Sequence, residues 1–233
     1  RGIDLLLEEA RHEPPSAAAP HYEAAIAAAL RQGAHAPRAL AICEEALDRC
    51  GTRGRLLLAF EHVSLDLGDV GTAERVYTRL IQRAIGVHGR RALAYRRARW
   101  LDRAGAARAA LDAYVEACQH QASAGALLTS LERLARAQGE LDCLARGLRS
   151  LAENAPHPTV RLSLLRQAAT VLSSELGDPR GALELLAAEW ARTFATELEP
   201  DLAREAARTA VSDRAAATDK VREMVGEIER RAA

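Results

Sequence analysis

His62 and Asp66 stand four residues apart, a spacing that would let a carboxylate orient an imidazole for acid–base work on one helix face. On an exposed helix the same pair is a surface contact of little energetic consequence, and that reading is preferred. Glu8–Glu9 and Glu44–Glu45 are adjacent acids. On a helix such neighbours point about 100° apart, so neither pair shares a proton or a metal. Cys43, Cys50, Cys118 and Cys143 lack CxxC spacing and the density of a disulfide framework, and they read as small apolar core residues. No HExxH, GxSxG or GxxxxGK[ST] occurs. The expectation is therefore a protein that is not an enzyme, with no catalytic residue, no metal site and no cofactor.

Arginines hold most of the remaining chemistry. Between Ala73 and Ala110 ten of them (75, 79, 83, 90, 91, 96, 97, 99, 103 and 108) face Glu74 and Asp102 alone, in a chain whose 32 basic and 32 acidic residues cancel. Arg75, Arg79 and Arg83 recur at i,i+4, and Arg96, Arg99 and Arg103 form a second stripe. Guanidinium forks suit carboxylates and phosphates, so one reading is a patch for an acidic peptide, a phosphate-bearing ligand or nucleic acid. The plainer reading is a set of solvated helix faces balanced through space by acids of neighbouring segments. From Ser174 to Glu205 the bias reverses, with eight acids against Arg180, Arg192 and Arg204. Complementary ends of this kind could associate head to tail between copies. Overall neutrality and the scarcity of stacking aromatics disfavour nucleic acid as the partner.

The elements that must carry these side chains are helical. The chain holds 51 Ala and 33 Leu against 10 Val and 6 Ile, with 3% aromatics, a composition that favours helices and disfavours sheets. No stretch of 18 apolar residues suggests a membrane span, and a cytoplasmic location is the default expectation. Glycines punctuate the chain at intervals. Gly68-Asp69 precedes Ala73 and Tyr77, Gly105 precedes Ala110, Tyr114 and Ala117, and Gly139 precedes Leu144 and Leu148. Gly177-Asp178-Pro179 precedes Ala182 and Leu186, and a looser copy runs from Gly33 to Ala39 and Cys43. Ala39, Ala73, Ala110, Leu144 and Ala182 are thus 34, 37, 34 and 38 residues apart. A period in the thirties with helical patterning signals stacked supersecondary units. In each turn glycine can close one helix in the left-handed region, and aspartate can cap the next. Pro179 suits a first helical turn. The pattern predicts paired helices near 21–32 and 37–49, 55–67 and 70–85, 90–104 and 107–120, 123–138 and 140–153, and 159–176 and 179–192. Two final helices are expected near 200–211 and 213–231.

The residues Gly105, Ala110, Tyr114 and Ala117, echoed by Gly68, Ala73 and Tyr77, resemble the tetratricopeptide (TPR) repeat over roughly residues 33–192. Glu189 departs from that pattern, standing where a small residue is expected. The resemblance implies an all-α fold, a right-handed α-solenoid of about five helix hairpins, whose first helices line a concave surface for a peptide or partner subunit. Pro14, Pro15 and Pro20 interrupt the opening segment, so residues 1–20 read as a short helix over 3–11 and a Pro-rich linker or loop over 12–20, with 21–233 a single TPR-like domain with C-terminal capping helices. Tyr77 and Tyr114 are expected to be core residues, and Trp100 also. The expected contact residues are Tyr95, Arg96, Arg99, Asp102 and Arg103 in the third unit, with Thr129, Arg133 and Arg136 in the fourth. The function so expected is a non-catalytic interaction scaffold. The alternatives are a structural or regulatory arm of a larger protein, which the Arg1 start would suit, and nucleic-acid binding through the arginines.

Overall fold

The computed structural model describes residues 2–31, 36–119, 125–193, 198–212 and 214–232. All of the regular structure among them is helical, as the composition requires, and no strand occurs among the described residues. The chain divides into two compact units, Arg1–Ala110 and Leu111–Ala233. The first holds α1 (Gly2–His12), α2 (Pro15–Arg31), α3 (Ala36–Cys50), α4 (Gly54–Leu67), α5 (Val70–Arg83) and α6 (Gly86–Arg103). Helix α7 (Ala107–Cys118) spans the division. The second unit continues with α8 (Gly125–Gln138), α9 (Leu141–Asn154), α10 (Pro158–Thr170), α11 (Pro179–Thr193), α12 (Glu199–Ser212) and α13 (Arg214–Ala232).

Helices pack in chain order. In the first unit each of α1 to α5 touches its successor, and α4 also touches α2 and α6, so alternate helices meet side by side. In the second unit each of α8 to α12 touches its successor, and α11 also meets α13. Such sequential packing is consistent with helical repeats. The spaced small residues lie within it: Ala39, Ala73, Ala110, Leu144 and Ala182 are all buried. The turns follow the local chemistry as expected. Gly68 (φ 64°), Gly105 (75°), Gly139 (72°) and Gly177 (68°) all occupy the left-handed region. Asp69 Oδ1 accepts from Thr72 N–H (2.9 Å), and Asp178 Oδ1 from Gly181 N–H (2.8 Å). The Gly33 copy lies outside the described residues.

The Asp69 cap is testable in isolation. Asp69→Ala is expected to destabilise the protein by about 1 kcal/mol. The Thr72 hydrogen bonds hold the Asp69 carboxyl below its ordinary value of 3.8. Its contribution is therefore present above that value and disappears as pH falls through the lower folded one. Urea denaturation of the two proteins at pH 7 and pH 3 should show the gap between them narrowing in acid.

Two segments differ from the expectation. Residues 12–20, read as a Pro-rich linker, turn within two residues and enter α2 at Pro15. Pro15 sits in the first turn, where a missing N–H is no loss. Pro20 does interrupt the ladder, leaving Ser16 O without its helical donor; Arg53 Nη1 approaches that oxygen at 3.4 Å. Across the preceding turn, Arg49 Nη2 donates to Arg11 O (2.7 Å) and Glu13 O (2.9 Å). Arginines of the following hairpin thus satisfy carbonyls that proline and helix ends expose. The second difference is in the helix expected over 159–176. It ends as a π-helical turn, Val171–Glu175, in which Leu176 N–H reaches Val171 O at 3.0 Å. That turn falls in the longest interval, 38 residues from Leu144 to Ala182, and takes up extra length before Gly177 closes the helix.

Candidate functional site

Most arginines of the basic run are committed to structure. Arg79 pairs with Asp48 (2.7 Å) and Glu44 (3.2 Å), and Arg83 with Asp48 (2.9 Å). Arg97 pairs with Glu74 (2.8 Å). Arg96 grips Glu61 with two nitrogens, its Nη2 at 2.9 Å from Oε2. The partners of several such bonds are 34 or 35 residues apart: Arg38 with Asp4, Arg11 with Glu45, Arg79 with Glu44, Arg83 with Asp48 and Arg96 with Glu61. Arg166 and Asp201 repeat the offset in the second unit at 2.7 Å. An offset of one repeat places the two partners at equivalent positions of adjacent hairpins, so each pair fastens one hairpin to the next.

Glu61 is the most buried of these acids in the first unit, with 7% exposure. Its carboxylate accepts from Tyr77 Oη on α5 and Arg96 on α6, and its carbonyl accepts from Trp100 Nε1 at 3.2 Å. Burial, reinforced by the Glu61 hydrogen bond, pushes the Tyr77 phenol far above its ordinary value. Tyr77 and Trp100 are core residues, as expected, and Phe60 meets the Tyr77 ring edge-on with centroids 6.2 Å apart. A more exposed copy of the same triad joins α1, α2 and α3, where Glu45 accepts from Tyr22 Oη (2.9 Å) and Arg11 Nε (2.7 Å). The signal for both triads, a tyrosine and an arginine answering one glutamate, is visible in sequence once the repeat register is known.

Of the other six, Arg75 donates to Thr72 Oγ1 (2.7 Å) and Arg108 is partnered, whereas Arg90, Arg91, Arg99 and Arg103 have no ion pair among the described residues. Two of these line a groove of about 370 Å³ between α4 and α6, formed by Leu58, Glu61, Ala92, Tyr95, Arg96, Arg99, Trp100 and Arg103. Arg99 and Arg103 are exposed on its rim, and the Arg99 guanidinium lies 5.9 Å from the centre of the half-buried Tyr95 ring. Asp102 is half-buried and already partnered. Tyr95, Arg96, Arg99 and Arg103, four of the expected contact residues, therefore share one groove, and Leu58 of α4, 58% exposed, is a member that sequence reading missed. Arg96 differs from the other two arginines because Glu61 holds it.

The second expected cluster lies in the second unit. Thr129 is exposed on α8 and donates to Gly125 O at 2.9 Å; Arg133 is exposed and has a partner. Arg136 is fixed between Glu132 (3.0 Å) and Glu175 of the π-helical turn (3.1 Å). Its hydrogen bonds hold the Glu175 carboxyl below the ordinary range. The acid-rich stretch is similarly occupied: Glu189 pairs with Arg161 and Arg192, Asp201 with Arg166 and Arg204, and Glu205 with Arg208. Glu197 lies outside the described residues.

Elsewhere the potential chemistry is quiet. His62 and Asp66 form an exposed pair at 2.9 Å. Among the described residues no group of three His, Cys, Asp or Glu is placed to hold a metal ion, and no helix is long and apolar enough to cross a membrane. All four cysteines are free; Cys43, Cys118 and Cys143 are buried and Cys50 half-buried. Burial pushes the Cys43 and Cys118 thiols up to about 12. Titration with a thiol reagent at pH 8 should give at most one fast-reacting group in the native protein, Cys50, and four in denaturant. In comparisons with known proteins, no family model matches the chain and no curated protein is significantly similar to it.

Proposed function

We propose that each unit is a run of TPR-like α-solenoid, and that the chain is a non-catalytic interaction module holding an acidic protein segment in the α4–α6 groove. The observation carrying this reading is the division of the arginines. Those answered by acids one repeat away serve the fold, whereas Arg99 and Arg103 stand exposed at the groove without an acid, Arg99 beside the Tyr95 ring. Aromatic and arginine side chains at a groove are the usual energetic centres of protein recognition. Carboxylates fit the guanidinium forks there. The internal pairing of Glu189, Asp201 and Glu205 leaves head-to-tail association between copies less support than a separate partner.

The test spares Arg96, since Glu61 depends on it. Arg99→Glu/Arg103→Glu should retain the parent's circular dichroism and melting temperature, because neither side chain has an ion pair to lose. Its affinity for a fluorescein-labelled Asp/Glu-rich peptide, read by anisotropy, should fall about tenfold or more, ~1.4 kcal/mol. Equal affinity of the two proteins would remove the groove from consideration. Duplex DNA serves as the comparison ligand: binding to it that is tighter than to the peptide and falls steeply with salt would favour nucleic acid instead.

A further inference from the structure

A second hollow, of about 520 Å³, adjoins the α4–α6 groove, and the two share Ala92 and Arg96. The character changes along the way. Leu47, Leu57, Leu80 and Leu93 contribute to the second hollow, together with Ile85, whose side chain in the α5–α6 turn is 98% exposed. Its nearby cations are spoken for, Arg83 by Asp48 and Arg96 by Glu61. Of two adjoining hollows, one is therefore lined by leucines with its charge neutralised, and the other carries Arg99 and Arg103, which have no ion pair among the described residues.

We infer that the bound segment is bipartite, with an apolar side chain anchored in the Leu57–Leu80–Leu93 hollow against Ile85 and acidic residues at a fixed distance from it on Arg99 and Arg103. This rests on the segment-binding reading above and adds the spacing and the anchor. Leu93, which lines the second hollow alone, is six residues from Arg99 and ten from Arg103. At 1.5 Å per helical residue that is roughly 9–15 Å. An extended chain advances about 3.3 Å per residue, so three to five positions separate the anchor from the acids. The choice of partner follows from charge complementarity: free guanidinium groups at one end call for carboxylates. At the other end Ile85, exposed above a floor of buried leucines, calls for an apolar side chain that removes it from water.

Selection of random 12-residue peptides displayed on phage against the whole protein tests this. The expected winners carry a large aliphatic or aromatic residue three to five positions from a pair of acids, in one consistent order. Synthetic copies should bind at least fivefold more weakly to Ile85→Ser, a change at an exposed site that leaves the fold intact, and at least tenfold more weakly to Arg99→Glu/Arg103→Glu. Winners that are acidic but show no apolar residue at a set distance, or that are indifferent to Ile85→Ser, overturn this inference while leaving the acidic-segment reading standing. Failure to enrich any peptide overturns both. So does finding that the groove instead binds phosphatidylserine vesicles, or is closed by a second copy of the chain in light scattering.

Discussion

Replacing Glu61 by alanine should destabilise the protein by about 3–5 kcal/mol, because it strips a half-buried arginine and a buried phenol of their common acceptor. Three elements meet at this carboxylate. Tyr77 donates to it from α5, Arg96 clasps it from α6, and Trp100 donates to the same residue's carbonyl. Removing the acid leaves the buried Tyr77 hydroxyl without its acceptor, and leaves the Arg96 guanidinium to a groove that water reaches only in part. The equivalent change at Glu45 should cost distinctly less. Its side chain is 35% exposed against 9% for that of Glu61, so water can replace the carboxylate. Guanidinium chloride melts of the two variants give the comparison directly, and equal losses would mean that burial is not what sets the value of the triad. Arg99→Glu/Arg103→Glu should weaken capture without touching stability.

The contrast between these variants bears on what can be read from the chain alone. Turns are legible because their chemistry is local: Gly68-Asp69 and Gly177-Asp178-Pro179 determine a left-handed closure and a cap within a few residues. The buried faces are legible because small residues recur with the period of the hairpins. Sequence reading fails over 12–20 because it weighs proline as a breaker at every position, whereas Pro15 opens a helix. Pro20 is carried by packing of α2 on α1 and α3, and by an arginine from beyond α3. The π-helical turn leaves no local mark beyond a long interval. For the arginines, composition shows excess charge without showing which residues are answered. That depends on the register between hairpins: Arg79, Arg83 and Arg96 find acids at an offset of 35, while Arg99 and Arg103 find none among the described residues. Once the offset is applied, the run separates into fasteners and a candidate surface.

The second large effect concerns the close approach of α8 and α9. Gly147 is buried in α9, and a Cβ placed on it would lie 2.2 Å from Leu131 Cδ2 and 3.5 Å from Cys118 Sγ. Two effects compete in Gly147→Ala. Alanine gains about 1 kcal/mol of helix propensity over glycine. Against this, Leu131 is fully buried and must move its methyl into packed surroundings, an overpacking that costs roughly 1–3 kcal/mol. The net expectation is destabilisation. Leu131→Ala alone should cost about 2–5 kcal/mol through lost burial and the cavity left behind. In that background the obstruction to Cβ is gone, so Gly147→Ala should become neutral or stabilising by up to about 1 kcal/mol. The sign of one substitution then reverses with the identity of a residue sixteen positions away, a coupling that a double-mutant cycle in urea measures directly. Additive losses in the double variant would show that α8 and α9 can separate to admit the methyl group. The glycine would then reflect no steric demand of the helix pair.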